Sequence, residues 1–142
     1  MPIKPALRWY YPIDWWELSA SVRFDRASGL CVHCRRPHGR TIHHLGDGRW
    51  SDPIDELWRD GEGRAVEWVC YRDYGTELQR TKVVLATAHL DHDPGNNRSS
   101  NLKALCQRCH LRHDRKEHRR RTRITVLKRR ALGDLLEGPY PD

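Results

Sequence analysis

The feature that most restricts how this chain can fold is a pair of Cys-x-x-Cys turns, Cys31-Val32-His33-Cys34 and Cys106-Gln107-Arg108-Cys109, about seventy residues apart. Each turn sets two sulfurs on one side of a tight bend, and two such turns complete the tetrahedral thiolate shell of a closed Zn²⁺ site. A fold that satisfies them must bring residue 31 against residue 106. Five cysteines with no secretion signal point to reduced thiols rather than disulfides. Cys70, the fifth, has no Cys-x-x-Cys partner and reads as a small buried hydrophobe. A thioredoxin-like redox pair is the alternative, and it would need a βαβ pattern that the sequence lacks. His33, His38, His43 and His44 lie near the first turn, but the two cysteine pairs already supply a full ligand set.

Such a staple suits the composition. The 142 residues fit one domain, yet 37% are hydrophobic and 32% charged, so the core is modest and needs a clamp. Six Trp against one Phe and one Met make that core lean on a few large rings. No apolar run approaches the length of a membrane span, and the opening MPIKPALRWYYP lacks the apolar centre of a signal peptide. A soluble, cytoplasmic protein is expected. The net charge is +7, and residues 115–130 alone carry +8, which leaves the rest of the chain near −1. A basic tail on a near-neutral body is an electrostatic footprint for a polyanion, because phosphate contacts release condensed counterions. A solvated basic helix is the bland alternative.

Taken in order, residues 1–13 carry Pro2, Pro5 and Pro12 and are expected to form an extended arm. A helix is expected over 14–30, with Asp14 as N-cap, Glu17 completing a capping-box variant, and Gly29 ending it. Trp15, Leu18, Ser19 and Val22 recur there at helical spacing. Residues 35–52 read as a long loop, and a short helix is expected after Asp52-Pro53. Residues 65–71 and 82–88 read as two strands of an antiparallel ribbon. A helix is then expected from about residue 101 to 121.

The densest chemistry lies between Val83 and His113. His89, Asp91, His92 and Asp93 precede Asn96-Asn97, Asn101-Leu102 and Cys109-His110. Phosphodiester hydrolysis needs an activated water, a cation to stabilise charge on the phosphate, and an open line of attack. An imidazole at a strand end can serve as the base when its ring is held in one orientation. An Asn side chain bridging the intervening loop can hold it, and a carboxylate with a second imidazole can hold the cation.

This stretch resembles the HNH endonuclease family, closely over 83–113 and in pattern over 28–115, and it is similar to the small HNH proteins of phage and other mobile elements. The resemblance implies an α+β fold with a ββα-metal core, here preceded by an N-terminal helix, stapled by Zn²⁺ on Cys31, Cys34, Cys106 and Cys109, and followed by a basic C-terminal helix or tail. It implies a single nuclease domain, with the core over 31–115 and the basic extension over 116–142, in a bacterial or phage-infected cell. His89 falls on the family's general base, Asp91 on the acid that follows it, Asn101 on the loop-bracing Asn, and His110 on the metal-binding His. One position departs from the pattern. The residue before the base is usually Asp or His and binds the cation, whereas here it is Ala88. Either Asp91 or another side chain supplies that ligand, or the register shifts so that Asp91-His92 plays the Asp-His pair and His92 becomes the base. His113 and Asp114 are further candidates for the cation, being three and four residues beyond His110.

The expected activity is therefore hydrolysis of DNA by a His base with Mg²⁺ or Mn²⁺, or with Zn²⁺ or Ni²⁺ if imidazoles dominate the site. Arg115, Lys116, Arg119, Arg120, Arg121 and Arg123 would position the DNA backbone. The rival from another class is a catalytically degenerate zinc module that binds nucleic acid, or a subunit of a larger nuclease complex. A homodimer or another protein partner is compatible with either.

Overall fold

Strand pairing in this chain follows the few side chains it can bury. The structure, a computed structural model, describes residues 5–67 and 78–137. It divides into two compact units, Met1–His110 and Leu111–Asp142. The architecture is α+β, with two small antiparallel sheets and a C-terminal helix.

In the first unit a 3-10 turn at Pro5–Tyr10 replaces the extended arm expected there. Helix α1 spans Trp15–Ala20 and continues as a π-helical turn over Ser21–Arg26. The Asp14 side chain makes no cap hydrogen bond, so the expected capping box does not form; Leu18 N–H instead reaches the Asp14 carbonyl at 3.0 Å. Gly29, at φ +69°, accepts the left-handed backbone that ends the helical segment.

The first sheet has the order β3-β2-β1-β4, with β1 at Thr41–His44, β2 at Trp50–Ser51, β3 at Trp58–Arg59 and β4 at Gln79–Lys82. Three of these strands fall where a loop and a short helix were expected. Buried Ile42 and Trp50 anchor two of them. No helix follows Asp52-Pro53, because the Asp52 carboxylate turns the chain by accepting from Ile54 N–H and pairs with Arg40 at 2.6 Å. Only the start of the strand expected over 65–71 lies in view: Ala65 bridges to Arg59, and Cys70 falls outside the described residues.

The second sheet pairs β5, Leu85–His89, with β6, Leu102–Cys106, in antiparallel register from Leu85↔Cys106 to His89↔Leu102. Among the described residues, the partner of the strand that enters the chemical stretch is β6, and most of the segment expected to pair with it, over 65–71, lies outside them. Residues 102–106 are a strand where a helix was expected, and helix α2 begins only at Gln107 and runs to Glu137. With a period of two, Leu85, Thr87 and His89 share a face with Leu102, Ala104 and Cys106. That face meets α1, since Ser19 and Thr87 hydroxyls lie 3.0 Å apart and Trp15 stacks on His89. Leu85 and Leu102 are at most 1% exposed, and each buried Leu side chain contributes about 1.5–3 kcal/mol. Gln107 ties the sheets together: its amide donates to Lys82 O at 2.8 Å and accepts from Val84 N–H at 3.0 Å. No helix among the described residues is long and apolar enough to cross a membrane.

Candidate metal centre and histidine loop

The four cysteines of the two turns meet at the base of the second sheet. Cys31 N–H donates to Arg36 O and Arg35 N–H to Cys31 O, which closes the first turn. Val32 N–H donates to Ala104 O, docking that turn on β6, and Cys106 N–H points at Cys31 Sγ at 3.3 Å. Cys34 and Cys106 Sγ are 3.5 Å apart, and the four sulfurs all lie within 4.8 Å of one another. A tetrahedral Zn–S shell of about 2.3 Å bonds places its sulfurs about 3.8 Å apart, so this spacing fits. All four thiols are free and at most 4% exposed. The cluster could hold a metal ion such as zinc.

Their proton chemistry agrees with that fit. Hydrogen bonds from Cys106 and its neighbours hold the Cys31 thiol far below its ordinary range, whereas hydrogen bonding to Cys106 pushes Cys109 and Cys34 up. A cation at the centre would let every sulfur ionise against positive charge.

Around this knuckle the packing is tight. Arg108, between Cys106 and Cys109, donates to Asp47 O at 3.1 Å and lies against Gly48 and Gly61. A Cβ at Gly48, whose φ is +126°, would collide with the Arg108 guanidinium. Arg36, 5% exposed, donates to Gly48 O at 3.2 Å and sits near the Trp50 ring.

The other end of the β5–β6 hairpin carries the histidine loop, residues 90–101. His92 N–H donates to His89 O at 3.2 Å, closing a turn that leaves His92 at φ +63°. Asn101 spans the loop. Its Nδ2 donates to Asp91 Oδ1 and to Asn96 O, both at 2.8 Å, while its Oδ1 accepts from Asp91 N–H at 3.1 Å. Its backbone carbonyl accepts from Leu90 N–H. Asp91 also accepts from Asp93 N–H and from Asn96 Nδ2, and these donors, with the Asp93 amide foremost, hold its carboxyl down at about 2. Arg26 fastens the far end of the loop by donating to Ser99 O and Oγ and to Leu102 O.

His89 is gripped from three directions. Trp15 stacks on it with centroids 5.2 Å apart and planes 14° from parallel. Tyr11 meets it edge-on at 5.7 Å, and its Nε2 lies 3.0 Å from Asn97 Oδ1. Sequence alone placed Asn101 on the loop but did not single out Asn97, Tyr11 or Trp15 as neighbours of the ring. Only the Asn-Asn pair and the aromatic run before α1 hinted at them. Ala88 is 2% exposed, which closes that position to any ligand role. His110 is half-buried on the first turn of α2, directly after Cys109.

In the second unit, Arg115, Lys116, Arg119, Arg120, Arg121 and Arg123 are all exposed. Glu117 pairs with Arg121 at 2.8 Å and Arg120 at 3.3 Å, and its carboxyl is held low chiefly by the Arg121 hydrogen bond. Asp114 lies 3.9 Å from His118. Leu111, Arg115, His118, Arg119, Thr122 and Arg123 line an open groove along the helix. No protein-family model, curated protein or solved structure matches the chain.

Proposed function

We propose that this chain is a divalent-metal-dependent DNA endonuclease of HNH type, with a structural zinc on Cys31, Cys34, Cys106 and Cys109. One observation carries the proposal most of all: a histidine at the end of a hairpin strand, its ring fixed by packing and a hydrogen bond, beside a loop that an asparagine closes. A histidine kept only as core would not need a polar partner on a loop so rich in Asn and Asp. The order strand, loop, strand, helix supports the same reading, because it puts His89 at one end of the hairpin and His110 on the helix that follows.

In this scheme His89 takes the proton from the attacking water, and His92 is the alternative base. Asp91 and His110 are the proposed ligands of a cation, Mg²⁺ or Mn²⁺ by the hardness of a carboxylate. Such a cation supplies charge stabilisation at the phosphate and leaving oxygen. Asp91 suits the role since its carboxyl stays ionised and oriented by three hydrogen-bond donors. The exposed arginines of α2 would hold the DNA backbone without reading its sequence.

A second reading, a zinc module that binds nucleic acid without cutting it, is favoured by buried Ala88, which offers no ligand. A plasmid-nicking assay with and without EDTA separates the two. Wild type should cut only with free divalent cation; His89→Ala should lose about 10²–10⁴-fold in rate, and His92→Ala less. Retention of DNA binding without cation-dependent cutting by wild type would leave only the second reading standing.

A further inference from the structure

The geometry points to Asn97 as the residue that sets the tautomer of His89, placing the ring proton on Nε2 and the proton-accepting lone pair on Nδ1. The Asn97 amide cannot be turned either way at equal cost. Its Nδ2 faces two carbonyl oxygens, Pro94 O at 3.2 Å and Gly95 O at 3.4 Å. Exchanging the amide's O and N would aim a lone-pair oxygen at both carbonyls and lose both hydrogen bonds. Oδ1 is therefore the atom that meets His89, at 3.0 Å from Nε2. An amide oxygen only accepts, so Nε2 must donate, and a neutral imidazole that donates from Nε2 carries its lone pair on Nδ1.

The ring cannot escape this by flipping. Trp15 covers one face nearly parallel, and Tyr11 closes in edge-on, so a half-turn about the ring axis would have to displace both. Trp15 is itself 8% exposed and fixed in the core, and Tyr11 packs against it with centroids 4.8 Å apart. The loop supplies the tautomer and the N-terminal aromatic residues supply the orientation. The two controls come from segments about eighty residues apart in sequence. Asn97 is a positioning residue, separate from Asn101, which braces the loop through Asp91 and Asn96.

The catalytic meaning of this assignment rests on the nuclease reading, while the tautomer itself does not, and the test keeps them apart. The first arm is long-range ¹H–¹⁵N correlation on histidine-labelled full-length protein at about pH 8.5, where an imidazole is neutral. Wild type should show His89 as a single Nε2–H tautomer with a ring proton protected from water. Asn97→Leu should lose that proton signal to exchange and shift the tautomer ratio toward Nδ1–H by about fivefold. Asn97→Asp loses the same two bonds to Pro94 O and Gly95 O as Asn97→Leu but keeps the acceptor at Nε2; it should retain the signal, which shows that the loss in Asn97→Leu is not a general loosening of the loop. An Nδ1–H tautomer in wild type, or His89 signals unchanged in Asn97→Leu, would overturn the assignment. The second arm is plasmid nicking: Asn97→Leu should lower kcat about 10²-fold with KM within about twofold, and Asn97→Asp should restore most of it. A change confined to KM would overturn the positioning role. If wild type cuts nothing, the nuclease reading falls, and the spectrum still decides the tautomer.

Discussion

The thiol cluster and the histidine loop sit at opposite ends of one hairpin and hold their polar atoms by opposite means. The four sulfurs are buried, alike in chemistry, and crowd one another for protons. The loop is half-exposed, chemically mixed, and satisfied by its own amides: Asn101, Asn96 and the Asp93 N–H all answer Asp91. A dry cluster of like donors could be completed by a cation such as zinc, which would tie its stability to something outside the chain. A self-satisfied loop keeps its shape without one. The difference separates a buried cluster of like groups at one end from a half-exposed, internally bonded polar loop at the other.

The comparison breaks most sharply at the cluster. Cys106→Ser should lower the melting temperature by about 10 °C or more and abolish stoichiometric zinc, read by calorimetry and metal analysis, because metal binding to such a site is folding free energy. If Cys106→Ser melts like wild type, the cluster is not what holds the hairpin. Gly48→Ala should come next. Its Cβ meets Arg108 and its φ is left-handed, so a loss of about 2–3 kcal/mol in urea unfolding is expected. Arg108→Ala in the same chain should recover part of that loss, and strict additivity of the two changes would show that the contact is not the cause.

At the loop, Asn101→Ala should cost about 1–2 kcal/mol and speed amide exchange at Leu90 and Asp91 while the zinc content stays at wild type. Loss of zinc in that variant would mean the two ends of the hairpin are not independent. Thr87→Val is the mildest change. It removes the Ser19 hydroxyl contact and the 3.1 Å bond to Ser19 O, for about 1 kcal/mol by thermal melting, with little effect on either site.

How much of this was legible in the sequence follows from how each part is specified. The cysteine pairs were readable because ligand chemistry demands a spacing that any fold must respect. The strand over 102–106 was not: Leu102, Leu105, Cys106 and Cys109 also repeat at helical spacing, and what decides for a strand is pairing with residues 85–89. The four-stranded sheet was hidden for a related reason. Its strands are two to four residues long and carry Arg, His and Thr beside single buried anchors such as Ile42, so no local period announces them. At the loop, Asn101 could be located by its place before Leu102. The bond from Asn97 to His89 depends on a turn whose shape is set by several side chains at once.

The separation between the two cysteine turns also bears on the order of folding events. Cys31 Sγ meets the backbone of a residue 75 positions away, and Cys34 meets Cys106 across 72. Closing a flexible loop of that length costs on the order of 4 kcal/mol of chain entropy, before any metal bond rewards it. Antiparallel pairings lie inside that loop, among them β1 with β4 and β5 with β6, and each shortens the span the sulfurs must search. Pairing within that span would therefore bring the two turns within reach of each other before a metal such as zinc could bridge all four sulfurs.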